Sequence, residues 1–309
     1  PIGEMNYRDI GGKTAQIGRP GHPGMMPTLP ASMLVLERGW LSANNVVFLE
    51  GDGATLVDSG YVTHAEQTVD LVACALAGRR LDRLINTHSH SDHIGGNAAL
   101  KAAYDCRIIV PAGLHATIAD WDANALLLSP LGQQAARFQH DALIDGGSDI
   151  EMGGLNWQAI AVPGHDMEAL AYYNPERRIL ISGDALWENG FGVIFPELLG
   201  EADGLAHTRA TLEALSRLPI DIVIPGHGRP FGDIDAAFER AFRRLDQFSR
   251  NIEQLAWHAI KVILAFSILE RRRLPASGLT DFMAGLSFAD DVNRRYLGLP
   301  PDELASRAE

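Results

Sequence analysis

One short stretch concentrates most of the chemistry this chain can do: Thr87-His88-Ser89-His90-Ser91-Asp92-His93-Ile94-Gly95-Gly96, directly after the apolar Leu84-Ile85 and Asn86. Zinc takes neutral imidazoles and carboxylates as ligands at about 2.0–2.2 Å, so three histidines and an aspartate within six residues supply half of a two-metal site. Such a set arises by chance in roughly one random chain per thousand, against which a solvated polar turn is the weaker reading. Two later histidines share a second context, in Pro163-Gly164-His165 and Pro225-Gly226-His227.

The elements around these residues can aim them. On a strand end, His88 and His90 project the same way because side chains alternate, and Asp92 and His93 then fall where the chain turns into a helix. Short β-branched runs at 33–36, 46–49 and 54–57 predict strands, with Gly51-Asp52-Gly53 as a hairpin turn. Val62, Ala65, Val69, Val72 and Leu76 share a helical face, and Thr63-His64-Ala65-Glu66 has the form of a capping box. The alternation continues with a strand at 82–87, a helix at 95–104 and the strand 107–110. Strands at 156–162, 169–173 and 178–182, a helix at 203–217 and a strand at 221–224 follow. From Asp233 onward the pattern is helical, over 233–250, 252–272 and 279–297, ending near Pro300 and Pro301. The apolar run Trp257–Leu269 reads as a buried helix, too short for a membrane span.

His-x-His-x-Asp-His after a strand resembles the defining motif of the metallo-β-lactamase fold superfamily, and the other landmarks stand in the family's order. Leu56-Val57-Asp58-Ser59-Gly60 is similar to the early strand-end aspartate motif, and Pro163-Gly164-His165, Ser182-Gly183-Asp184 and Pro225-Gly226-His227 to the later ligand motifs. The resemblance implies an α/β fold, a four-layer αββα sandwich over residues 28–232 with a helical extension over 233–309. It further implies that His88, His90 and His165 hold one metal, that Asp92, His93 and His227 hold another, and that Asp184 bridges them. Asp58 is expected to support the metal loop without ligating. His22, His64, His115, His140, His207 and His258 lack such a context and are assigned to surface or packing.

Two divalent ions, zinc or alternatively iron or manganese, would be set against Asp92, Asp184 and one hydroxide. That count leaves about one net positive charge to stabilise an oxyanion. Asp92 and Asp184 are the catalytic carboxylates, orienting a metal-bound hydroxide. Among family members the set with an aspartate at 184 is most similar to the glyoxalase II-like hydrolases. The C-terminal region lacks a recognisable glutathione-binding pattern. The reaction expected is hydrolysis of a small ester, thioester or lactone. Trp187, Phe191 and Phe195 are candidates for the substrate pocket, and Trp40 a weaker one.

The composition weighs the rivals. A metal-dependent nuclease or phosphoester hydrolase of the same fold needs a positive path for a phosphate backbone, and this chain carries a net charge of −13 with 39 acidic against 26 basic residues. The run Arg271-Arg272-Arg273 is its best support and reads otherwise as a solvated helix end. A non-catalytic metal-binding module would be expected to have lost a ligand. Two cysteines, Cys74 and Cys106, read as reduced thiols of a cytoplasmic protein, and Met5 as a candidate native start. The expected partner is a small molecule, with no nucleic acid and no membrane; self-association through the C-terminal helices stays open.

Overall fold

The computed structural model describes residues 28–201, 203–273, 275 and 278–308. The readings made for Met5 and His22 lie outside these residues.

The first sheet runs in simple order through β1 (Met33–Leu36), β2 (Asn45–Glu50), β3 (Gly53–Val57), β4 (Arg83–Ile85), β5 (Arg107–Pro111) and β6 (Ala142–Ile144). The β1–β2–β3 pairs are antiparallel and the β3–β4–β5–β6 pairs parallel. The hairpin turn is two residues, Gly51-Asp52, since Glu50 pairs with Gly53 across it. The second sheet has the order β11-β10-β9-β8-β7, from β7 (Asp149–Met152), β8 (Leu155–Ala161), β9 (Leu170–Asn174), β10 (Ile179–Gly183) and β11 (Ile222–Pro225). Neither β6 nor β7 is foreseen from the sequence. Both are edge strands of three and four residues, too short to show a period, and short edges limit strand addition.

Between the sheets lies an apolar layer in which Phe48 and Trp157 meet edge to face at 5.2 Å. The outer face of the first sheet is covered by α1 (Ala65–Leu76), α2 (Ser91–Ile94), α3 (Asn97–Tyr104), α4 (His115–Asp120) and α5 (Leu128–Leu131), with Val72, Leu76, Leu100 and Ile118 buried against it. The second sheet's outer face carries α6 (Phe195–Leu199), α7 (Gly204–Ser216), α8 (Ile234–Arg250), α9 (Ile252–Arg271), α10 (Leu279–Ala284), α11 (Ser287–Val292) and α12 (Pro301–Ala308). Helix, sheet, sheet and helix layers thus follow one another, as expected. The C-terminal helices finish a core they share with Leu180 and Val223 of β10 and β11.

Local expectations fail in three places. The capping box at Thr63 does not form: a 3₁₀ turn over Val62–His64 precedes α1, its backbone bond from Ala65 to Val62 occupies the entrance, and His64 becomes the N-cap without a side-chain bond. The single helix over 279–297 is divided, because Leu286 is extended and Asn293–Leu297 winds into a π turn. Pro301 begins α12 where it was expected to end the helical region, since proline's fixed φ suits a first helical position. α9, at 20 residues, is long and apolar enough by length and composition to cross a membrane. However, Leu255, Ala259, Ile260, Ile263 and Leu264 are buried in the protein core, while Val262, Ile268 and Leu269 remain exposed.

Candidate metal centre

The loop after β4 carries His88 and His90, and α2 carries Asp92 and His93. His165 follows β8, Asp184 follows β10 and His227 follows β11, so the ligand loops leave strand ends of both sheets. The structure brings all seven side chains together. The donor atoms of His88, His90 and His165 lie within 4.8 Å of one another, as do those of Asp92, His93 and His227; a third such group is His88, His93 and Asp184. Asp184 reaches both sides: Oδ2 lies 3.4 Å from His165 Nε2 and 3.8 Å from His227 Nε2, and Oδ1 lies 3.4 Å from His93 Nε2. Each of the seven is nearly excluded from solvent.

Neighbours fix which nitrogen of His165 and of His88 keeps its lone pair. His165 gives its Nδ1–H to Val193 O at 2.5 Å, so its Nε2 accepts from His90 Nδ1 at 2.7 Å. The Thr87 hydroxyl donates to Asp58 Oδ2 at 2.8 Å, so His88 Nδ1 donates to Thr87 Oγ1 at 3.0 Å and Nε2 keeps its lone pair. His93 Nδ1 donates to Asp58 Oδ2 at 2.8 Å. Asp58 also accepts from Thr87 N at 2.9 Å, so it aligns the loop and one imidazole at once. This is the supporting role expected for it, and carboxylates behind metal-binding imidazoles raise their basicity.

The electrostatics divide the rings into two kinds. Burial pushes His88 well below the ordinary imidazole value, and pushes His90 and His165 down to about 4, so all three are neutral at pH 7. Burial opposes charge on His93 and His227 as well, but Asp58 and Asp184 raise the first and Asp184 and Asp92 the second. Burial would raise Asp184 too, yet His227 and His93 beside it hold its carboxyl well below the usual range. The buried carboxylates thus favour protons on His93 and His227, a balancing of charge that divalent cations would take over.

The donor set fits such ions. His88 Nε2 and His93 Nε2 are buried ring nitrogens without a hydrogen-bond partner, a costly condition for a polar atom unless something else binds it. Five imidazoles and two carboxylates, with no thiolate, match the ligands of zinc, iron or manganese.

The glycine of Pro225-Gly226-His227 has a steric reason. A Cβ on Gly226 would lie 2.1 Å from Asp184 Oδ1 and 2.9 Å from His93 Cε1. Gly226→Ala is therefore expected to displace the Asp184 carboxylate and weaken metal binding by roughly 10–100-fold, as disturbed ligand orientation does. Chelator competition against the unaltered protein measures it, and equal affinities would show that Asp184 has slack.

His90, Asp92, His165, Asp184 and His227 of the cluster line a cavity of about 540 Å³. Trp187 and Phe195 line it, as the sequence suggested. The Trp187 indole donates to Asp184 Oδ1 at 3.2 Å, and Phe195 meets His90 edge to face at 5.2 Å. Phe191 does not line the cavity. It is buried one layer behind, against Phe248, because the chain between Gly190 and Gly192 turns it toward α8. Trp40 contributes more than its weak pattern implied: 61% exposed, it stacks on His227 at 5.4 Å with the rings only 8° from parallel. Three contributions escape the sequence reading: Val262, Phe266 and Leu269 of α9 form a wall, Arg244 of α8 reaches the same space, and His258 lines it while packing on Phe248. A helical period of apolar residues cannot reveal which stripe faces a cavity. His115 and His140 pair only with each other, at 2.8 Å, and His64 with Ser42.

Comparison with known proteins agrees with this layout. The model of the metallo-beta-lactamase superfamily matches residues 38–227. A hydroxyacylglutathione hydrolase of Rhodopseudomonas palustris (strain HaA2) is 30% identical over 125 residues, 40% of this chain and 42% of that protein. A probable metallo-hydrolase of Bacillus subtilis (strain 168) is 28% identical over 148 residues, 47% of this chain and 67% of that protein. The match thus spans less than half the length of the first of these relatives. Among solved structures, a metallo-beta-lactamase family protein from Thermus thermophilus superposes with a TM-score of 0.58 at 18% identity, covering 86% of this chain and 92% of that one. The FEZ-1 metallo-beta-lactamase from Legionella gormanii gives 0.55 at 14%, covering 70% and 91%. At such identities the likeness is one of fold. With two facing sheets, a His-x-His-x-Asp-His loop at their edge and a family match over well over half its length, the chain belongs to the metallo-beta-lactamase superfamily.

Proposed function

We propose that the chain is a dinuclear metal-dependent hydrolase acting on a small ester, thioester or lactone with an apolar acyl part. The observation that carries this reading is the convergence of five histidines and two carboxylates, of which His90, Asp92, His165, Asp184 and His227 line a cavity walled by Trp187, Phe195, Val262, Phe266 and Leu269. Relatives named hydroxyacylglutathione hydrolase and metallo-hydrolase support bond hydrolysis, and the first name makes a thioester a natural member of the substrate class.

In this reading His88, His90 and His165 hold one ion, Asp92, His93 and His227 the other, and Asp184 is shared. Bound there, the ions would supply Lewis acidity toward the scissile oxygen and lower the pKa of water to about 7. The chain's own groups do the rest. Asp92 stays ionised: burial raises its carboxyl, but His93 and His227 more than offset this. It and Asp184 are the acceptors that orient an attacking water. Trp187 holds Asp184 Oδ1 in place through its indole N–H. Apolar walls exclude bulk water and seat the acyl body.

A nuclease fits this cavity less well. Among the described residues its lining cations are Arg229 and Arg244, and Arg229 already lies 3.5 Å from Glu37. A phosphate backbone needs a longer positive path than this.

Elemental analysis of protein purified without chelator, followed by one panel of thioesters, lactones, aryl esters, phosphotriesters and RNA, tests the proposal. Close to two ions per chain and turnover of at least one acyl substrate are expected. Salt-sensitive cleavage of RNA with no acyl turnover would overturn the substrate class, and metal-free protein that gains no ion on reconstitution would overturn the centre.

A further inference from the structure

Arg244 enters the cavity from α8 and lines it together with His90, Asp92, His165, Asp184 and His227. Its guanidinium is half-buried, and among the described residues no carboxylate forms an ion pair with it. Removing a cation from water without a counter-charge is costly, so the partners it does have matter. A guanidinium offers five N–H donors. Two are used here: Nη1 donates to Asn189 O at 3.3 Å and Nη2 to His258 Nε2 at 2.5 Å. Burial and then Arg244 itself push His258 down to about 4, so that ring is a neutral acceptor and adds no counter-charge.

The rest of the surroundings hold the group without neutralising it. The rings of Phe191 and Phe248 each lie 5.4 Å from the guanidinium carbon. Room for it is kept at Gly190, where a Cβ would stand 2.7 Å from Nη1. Glu188, also at the cavity, offers Arg240 its backbone oxygen and makes no ion pair with Arg244. A mostly apolar cavity thus presents one positioned, charge-unpaired fork beside the cluster of histidines and carboxylates.

We propose that Arg244 binds a second, unreacting carboxylate on the substrate, so that the preferred substrates are esters or thioesters of acids that keep a free carboxylate beyond an apolar spacer. A carboxylate suits the site better than a phosphate. Its two oxygens match the planar fork and its single charge is cancelled, whereas a phosphate dianion would leave a net charge among apolar walls. The proposal rests on the acyl-hydrolase reading above and names the substrate class within it.

A matched pair of 4-nitrophenyl esters tests it: the half-ester of adipic acid, with one carboxylate free, and the ester of hexanoic acid. Metal-loaded protein is expected to favour the adipate by roughly 10–100-fold in kcat/KM, the scale of a hydrogen-bonded charge pair. Arg244→Met, which keeps an aliphatic stem between Phe191 and Phe248, removes most of that preference through KM while leaving the hexanoate little changed, and Arg244→Lys retains part of it. Equal losses on both esters in Arg244→Met, or no preference in the unaltered protein, would overturn the proposal in favour of a structural role. If neither ester is turned over, the acyl-hydrolase reading is judged by the wider panel above, and binding decides the role of Arg244. Tryptophan fluorescence of metal-free protein, reporting from Trp40 and Trp187, is titrated with adipate monoamide and hexanamide. A response to the adipate compound that Arg244→Met abolishes supports the site, and indistinguishable titrations of the two proteins refute it.

Discussion

Asp184→Asn is expected to leave the fold intact, lower the metal content at one or both positions, and cut turnover by at least about a hundredfold. The side chain touches both halves of the centre: one oxygen lies between His165 and His227, and the other faces His93 and the Trp187 indole. Asparagine preserves the volume and one acceptor oxygen, so the Trp187 hydrogen bond survives. It removes the negative charge that two cations would share and replaces the second oxygen by an N–H₂ donor that cannot ligate. In the metal-free protein the same substitution removes a charge facing His93 and His227, so both imidazoles hold their protons less tightly. Metal stoichiometry and kcat on the best acyl substrate, measured side by side, check the effect. His140→Asn is the comparison, because His140 pairs with His115, is not among the residues lining the cavity, and is expected to change neither quantity. Unaltered metal content with unaltered turnover in Asp184→Asn would reduce this aspartate to a strand-end residue.

The His88–His93 cluster was legible in the sequence for a physical reason, while the layered fold and the grouping of all seven residues came from the resemblance to the metallo-β-lactamase superfamily. Metal-binding chemistry admits few residue types, and a strand end followed by a tight turn constrains their spacing, so His88–His93 and the two Pro-Gly-His turns stand out locally, whereas Asp184 gains its meaning only from its place in the family's order. What surrounds the centre is set by contacts distant in the chain. Asn44 Nδ2 donates to Pro225 O across 181 residues, which carries the Trp40 loop onto His227, and no local pattern announces such a bond. Phe191 and Phe195 look alike in sequence, yet the second begins α6 and turns toward His90, while the first faces Phe248. Arg244 and His258 sit on separate helices whose periods gave no sign that their polar positions meet at 2.5 Å beside a cavity. The edge strands β6 and β7 were invisible for a different reason: three or four residues with polar neighbours carry too little alternation to register.

Asp58→Asn should weaken metal binding by roughly 10–100-fold although Asp58 is not among the seven. Its backbone sits at φ +58°, a left-handed conformation that asparagine also adopts readily, so the substitution adds no strain of its own. Asparagine can still accept the bond from the Thr87 amide. It cannot present a second anionic oxygen to both the Thr87 hydroxyl and His93 Nδ1, which Asp58 Oδ2 now binds at 2.8 Å each. Two consequences follow at His93. The ring loses the charge that makes its far nitrogen a strong donor, and it loses the partner that fixes its orientation. Because the same carboxylate is the foremost group raising the His93 pKa against burial, its removal also lets the proton leave more readily. That second effect favours metal binding at acid pH and partly offsets the loss there, so the deficit should be larger at pH 8 than at pH 5.5. Chelator competition at the two pH values, with thermal midpoints of metal-free and metal-loaded protein recorded in parallel, separates the contributions. A substitution that lowers the metal-free midpoint alone, with metal affinity unchanged at both pH values, would mean that Asp58 serves the loop and not the ligand.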